Sequence, residues 1–115
     1  MKLSIIIPTY NGAHKIQHLL NSLLIQTYTD YEVIIVVDGS TDNTIQVLEK
    51  FKSKFDSFKV IIQKNQGRAK VRNNGAKIAQ GEILVFFDDD MRPKSNCVFV
   101  HLNHHRVYHN SILTG

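Results

Sequence analysis

The sequence predicts an α/β fold on a mainly parallel central sheet, and three observations carry that prediction. Apolar residues alternate between two periods along the chain, short β-rich runs giving way to stripes spaced by three and four. The β-rich runs are apolar on both faces, as strands sandwiched between helices must be. Strand and helix patterns alternate four times with short connections, which calls for parallel strands joined by helical crossovers.

Residues 3–7 form the first strand, a continuous apolar run closed by Pro8. Beyond Tyr10, Asn11 and Gly12, the residues Ile16, Leu19, Leu20, Leu23 and Leu24 draw the stripe of a first helix. Residues 31–37 form the second strand, and the β-branched run from Val33 to Val37 gives it a central place. Asp38-Gly39-Ser40-Thr41-Asp42 turns into a second helix, with Ser40 or Thr41 as its N-cap and Asp42 in its first turn. Ile45, Leu48, Phe51 and Phe55 are its buried stripe. Residues 58–62 make a shorter third strand, residues 67–80 a basic helix, and residues 83–87 a fourth strand that runs into Asp88, Asp89 and Asp90. A weaker helix is expected over 95–109 and a further strand from residue 112. No repeat, linker or low-complexity tract divides the chain, so residues 1–115 read as one domain.

Composition narrows the function classes. With 115 residues, 43% hydrophobic and 21% charged, the chain is that of an ordinary globular domain with a real core. Its net charge of +4 suits anionic ligands without choosing among nucleotides, nucleic acid and acidic membranes. A lone Cys97 leaves no internal disulfide, and it reads as a small core residue in a reducing compartment. No stretch approaches the roughly 18 apolar residues of a membrane span. The expected location is cytoplasmic, with attachment at the cytosolic face of a membrane left open.

Three polar clusters follow directly on strands: Pro8-Thr9-Tyr10, Asp38, and the three aspartates 88–90. In an open α/β sheet those strand ends share one edge, where ligands bind at the switch in strand order. Three adjacent carboxylates at the mouth of a buried strand repel one another unless a cation joins them. Hard divalent ions take such oxygens together with substrate phosphates. In extended backbone Asp88 and Asp90 face one side and Asp89 the other. Against this stands a solvated acidic loop, and the aspartates alone do not separate the two. The segment from Lys64 to Lys77 carries Arg68, Lys70 and Arg72 with no acidic residue; a guanidinium there can grip a diphosphate, while Lys64, Lys70 and Lys77 read as a solvated face. Aromatic residues are not interleaved with these charges, which disfavours nucleic acid as the partner. Asp38 can either meet a nucleobase or ribose or cap the next helix. His14 and His18, like His101, His105 and His109, have the spacing of helical zinc pairs, but their polar neighbours indicate an exposed face.

Together these residues resemble the family 2 glycosyltransferases of GT-A fold. The resemblance rests on Pro8-Thr9-Tyr10-Asn11; on Asp38-Gly39-Ser40-Thr41-Asp42; on Asn65-Gln66-Gly67, Arg72-Asn73-Asn74-Gly75 and Ala79-Gln80-Gly81; and on Asp88-Asp89-Asp90 with Pro93, in register over residues 3–93. It implies a nucleotide-sugar site in which Pro8, Thr9 and Tyr10 cradle the base. Asp38 accepts a hydrogen bond from the base, Arg72 contacts base or phosphates, and Asp89 faces the ribose. Asp90, helped by Asp88, holds a divalent metal, manganese or magnesium. The donor implied is a nucleotide-diphosphate sugar, most often uridine-linked, and the acceptor a carbohydrate or a lipid-linked molecule, attacked with inversion.

Two positions depart from the family pattern. Val37 stands where many relatives carry a first acidic residue, and Val71 where many carry alanine. The acceptor-activating carboxylate expected of the family has no candidate between Met91 and Gly115, which holds no acidic residue. The general base is therefore expected from a further C-terminal region or a second chain, with these residues forming the donor-binding portion. The alternative is a non-catalytic module that binds nucleotide or a partner protein in the same crevice. A phosphohydrolase would need a lysine after a later strand, and a dinucleotide-binding domain would need Gly-x-Gly-x-x-Gly after the first strand, which is absent.

Overall fold

The computed structural model describes residues 3–26, 29–90 and 112–114. Its elements are β1 (Leu3–Thr9), α1 (Ala13–Leu24), β2 (Tyr31–Asp38), α2 (Thr44–Phe51), β3 (Phe58–Gln63), α3 (Arg68–Ile78), β4 (Ile83–Phe86) and β5 (Ile112–Thr114), with one 3-10 turn, Lys52–Lys54, after α2. The five strands lie in the order β3-β2-β1-β4-β5, and every pair is parallel. The chain winds outward from β1 to β3, then crosses back to lay β4 on the other side of β1. The switch in strand order thus falls between β1 and β4, where an open α/β sheet leaves a crevice at the C-terminal strand ends.

The two faces of the sheet are packed differently. Leu3, Ile5, Ile7, Val33, Ile35, Val37 and Val85 meet Ile16, Leu19, Leu20 and Leu23 of α1 and Val47, Leu48 and Phe51 of α2 in the larger core. Full burial of each such side chain is worth roughly 1.5–3 kcal/mol. The opposite face is covered by α3, where Val71 and Ala76, with Ala79 just after the helix, meet Ile6, Ile34, Val36 and Phe86. Small residues let α3 ride low on the sheet. A Cβ on Gly75 would stand 2.5 Å from Ile6 Cγ2, so this turn of the helix has no room for one.

Several boundaries differ from expectation for identifiable reasons. β2 and β3 each run one residue further, because Asp38 and Gln63 continue the ladder as register partners. β4 stops at Phe86, although the Phe87 N–H still donates to the Ile6 carbonyl at 3.0 Å. α3 is shorter than 67–80 at both ends: the N–H groups of Gln66 and Gly67 are taken by Asp38, and Ala79 is extended. Neither Ser40 nor Thr41 caps α2, which starts at Thr44 after an Asn43 that makes no side-chain cap bond. The Asp42 carboxylate serves instead, accepting from the Thr44 N–H at 3.1 Å and from the Thr44 hydroxyl. The expected strand at residue 112 is present as β5; the helix expected over 95–109 and Cys97 lie outside the described residues.

Glu32 is wholly buried in the smaller face. It accepts from the Ser4 hydroxyl at 2.6 Å and from the Gln80 N–H, and Lys59 Nζ lies 3.0 Å from its other oxygen. Burial pushes its pKa up, but the bonds from Ser4 and Gln80 and the Lys59 charge outweigh it, and the net shift is downward. This polar knot pins the α3–β4 turn at the end of the sheet opposite the crevice.

Candidate functional site

A cleft of about 320 Å³ opens at the switch point, lined by Pro8, Thr9, Tyr10, Lys15, Asp38, Val71, Asp88, Asp89 and Asp90. The three polar clusters that sequence placed at strand ends therefore share one cavity. Each reaches it by the same route: a buried strand delivers the backbone to the sheet edge, where the last ladder residues Pro8, Thr9 and Asp38 and the residues just beyond β1 and β4 line the crevice.

The three aspartates are not equivalent. Asp89 is half-buried and turned inward, accepting from the buried Thr9 hydroxyl at 2.9 Å, with Lys15 Nζ at 3.8 Å from its other oxygen. Gly12 makes room for this arrangement. A Cβ there would lie 2.3 Å from Thr9 Oγ1 and 2.4 Å from Asp89 Oδ2. Asp88 and Asp90 are exposed and make no hydrogen bond or ion pair with another described residue. Among the described residues no three acidic, imidazole or thiol side chains converge into a metal cage. Two free carboxylates on an open rim suit a hard ion that completes its shell from phosphate and water rather than from protein alone.

Asp38 is 8% exposed and does more than line the cleft. Its carboxylate accepts from Gln63 Nε2 at 2.9 Å, the Gln66 N–H at 2.8 Å and the Gly67 N–H at 3.3 Å. Asp38 does not cap the next helix, α2; its carboxylate takes the N–H groups at the entry to α3 instead. Gln63 is itself held by Asn74 through Nδ2, so the orientation of Asp38 is set from two elements.

Arg72 is not among the residues lining the cleft. Its guanidinium carbon lies 5.4 Å from the centre of the Phe86 ring, just before the acidic run, and its Nε is buried without a hydrogen-bond partner. Val71, beside it, is the α3 residue that reaches the cleft wall. Lys70 and Lys77, with Gln66, Asn73, Asn74 and Ala76, line a separate depression on the outer surface of α3. Lys15 and Gly12 escaped the sequence reading. Their one signal was position, since the first turn of a helix that follows a strand-end motif must stand at the same sheet edge.

A sequence profile described as glycosyl transferase family 2 matches residues 4–115. The chain belongs to that family. It is 43% identical over 91 residues to an uncharacterized glycosyltransferase, alr2836, of Nostoc sp., covering 78% of this chain and 28% of that protein. It is similar to the poly(ribitol-phosphate) beta-N-acetylglucosaminyltransferase TarS of Staphylococcus aureus, 43% identical over 93 residues, covering 78% of this chain and 16% of TarS. The crystal structure of TarS superposes with a TM-score of 0.83 at 38% identity over 92% of this chain and 20% of that one. TarS residues 1–349 have also been solved with UDP-GlcNAc, with a TM-score of 0.78, 35% identity, and coverage of 92% and 32%. A mannosyltransferase of Pyrobaculum calidifontis, solved with GDP-Man and Mn2+, has a TM-score of 0.73 at 30% identity, covering 77% of this chain and 27% of its own. The fold is GT-A, the family activity is glycosyl transfer, and the chain spans less than a third of the length of each of these relatives.

Proposed function

We propose that these residues form the donor half of an inverting, metal-dependent glycosyltransferase that takes a uridine-diphosphate sugar. The observation that carries this reading is the single cleft at the β1/β4 switch, with Tyr10 and Asp38 on one side and Asp88 and Asp90 on the other. In this reading the half-exposed Tyr10 ring lies against the base, and Asp38 offers its remaining lone pair to a base N–H. Asp89, fixed by Thr9, accepts from the ribose. Arg72 brings its donors to the base or the phosphates from beside Phe86. A manganese or magnesium ion on Asp90 and Asp88 would neutralise charge on the departing diphosphate. Support for the donor comes from the UDP-GlcNAc complex of TarS, and for the ion from the Mn2+ complex of the Pyrobaculum calidifontis enzyme.

Inversion requires a base that deprotonates the acceptor hydroxyl as it attacks the anomeric carbon in line. We assign that base, and acceptor binding, to sequence or a partner chain outside residues 1–115. The test is calorimetry with uridine diphosphate, in manganese and in chelator, alongside an assay for nucleoside diphosphate release from donor sugars. Metal-dependent binding without turnover is expected. Equal affinity in both conditions removes the ion from the site, and acceptor-dependent turnover by the 115-residue chain places the base within it.

A further inference from the structure

Two residues outside the cleft lining tie its nucleobase side together. Asn11, directly after Tyr10, has φ of 48°, a left-handed conformation that asparagine tolerates better than most residues. Its Oδ1 accepts from the Thr41 N–H at 2.7 Å, the Asp42 N–H at 3.2 Å and the Thr41 hydroxyl at 3.4 Å, while its own N–H donates to Ser40 Oγ at 2.9 Å. Asp42 returns the contact: one carboxylate oxygen accepts from the Ala13 N–H at 3.3 Å, at the first residue of α1, and the other from Thr44, at the first residue of α2. Five hydrogen bonds thus cross between the β1–α1 and β2–α2 turns. One carboxylate caps both helices, where the partial positive charge of each N-terminus favours it.

We infer that Asn11 and Asp42 are positioning residues for the nucleobase half of the donor site. The clasp joins the turn that carries Tyr10 to the turn that follows Asp38, and these residues stand on the proposed base side of the cleft. Neither clasp residue lines the cleft, so each acts through the residues it holds. Asn11, Thr41 and Asp42 are all exposed, so their bonds do not fill a core and their loss leaves both hydrophobic layers intact. Across the cleft, Asp89 is held by Thr9 and Lys15, and no clasp bond reaches Asp88, Asp89 or Asp90. Breaking the clasp therefore separates recognition of the base from recognition of the phosphates.

This inference rests on the proposed function, and the experiment distinguishes the two. Uridine diphosphate and inorganic pyrophosphate, each with manganese, are titrated into the 115-residue chain and into Asn11→Gly, Ser40→Ala and Asp42→Asn. Asn11→Gly keeps the left-handed backbone but removes the acceptor; it should weaken uridine diphosphate about tenfold, the equivalent of one net hydrogen bond. Pyrophosphate should stay within about twofold, because its partners are untouched. Ser40→Ala removes a single bond and should weaken the nucleotide by about threefold, covering the case in which Asn11→Gly does not fold. Asp42→Asn keeps one acceptor oxygen and sets an NH2 group against the other backbone N–H, so it should weaken the nucleotide by about threefold. Amide exchange at Thr41 and Asp42 should accelerate in Asn11→Gly. Nucleotide affinity unchanged in both Asn11→Gly and Ser40→Ala, or pyrophosphate falling in step with it, overturns the clasp while leaving the donor site standing. A wild-type chain that binds neither ligand overturns the donor site, and the clasp with it.

Discussion

The two walls of the cleft are built on opposite plans. On the β1/β2 side, Asn11, Asp42 and Asp38 are each fixed by three or more hydrogen bonds, and Tyr10 sits between fixed neighbours. On the β4 side, Asp88 and Asp90 are exposed and unbonded to other described residues, and only Asp89 is tied down. A wall built to recognise a flat, neutral base gains from being rigid before the ligand arrives. Neighbouring carboxylates repel one another, and a bound cation relieves that repulsion. The difference teaches that one side of this site is fixed within the protein, while the other leaves two carboxylates free for the proposed ion.

The contrast is broken most sharply on the open wall. Asp90→Ala should abolish the gain in nucleotide affinity that manganese gives, while leaving unfolding midpoints in urea unchanged or slightly raised, since it removes repulsion and no bond. A marked loss of stability would show that Asp90 is tied into the fold as Asp89 is. At the seam between the walls, Gly12→Ala places a methyl against Thr9 and Asp89 and should cost about 1–3 kcal/mol of stability, read from the same urea midpoints. Arg72→Ala should weaken nucleotide binding by roughly 1–3 kcal/mol, whereas Lys70→Ala and Lys77→Ala, on the outer surface of α3, should change it little. Equal losses in all three would replace a site with a diffuse basic patch.

The smallest effect is a dependence on acid. Burial raises the Asp42 pKa, but the hydroxyl and N–H of Thr44 and the N–H of Ala13 outweigh it and hold the carboxyl below its usual range. Glu32 is lowered likewise. For groups depressed in the folded state, the stabilisation is full above the unfolded values, near 4, and is lost as pH falls through the folded ones. Asp42→Asn and Glu32→Gln should each flatten the acid limb of a stability–pH profile, Asp42→Asn by less because its side chain is exposed. An unchanged limb in both would detach these carboxylates from acid stability.

Local pattern made the alternation, the parallel sheet and the three polar clusters legible, because period and strand-end position are properties of short segments. The partners of those clusters were not legible. Asp42 read as a cap for one helix and caps two, since Ala13 comes within reach only once β1 and β2 pair with Pro8 beside Val36. Glu32, at the head of an apolar run, gave no sign of burial, because Ser4 and Lys59 are brought to it by two different neighbouring strands. The seat of Arg72 was not legible either: its guanidinium carbon lies 5.4 Å from the Phe86 ring, beside the wall that Val71 forms, because α3 packs low on the sheet.

The most direct test of a two-walled nucleotide site is an amide NMR titration of the 115-residue chain with uridine diphosphate, first with magnesium and then with traces of manganese. With magnesium, the expected shifts fall on Tyr10, Asp38, Gly39 and residues 88–90. With manganese, paramagnetic broadening should concentrate on residues 88–90 and spare the Asn11–Asp42 clasp. Shifts and broadening centred instead on Lys70, Asn73, Asn74 and Lys77 would place the ligand on the outer surface of α3 and contradict the site at the strand switch.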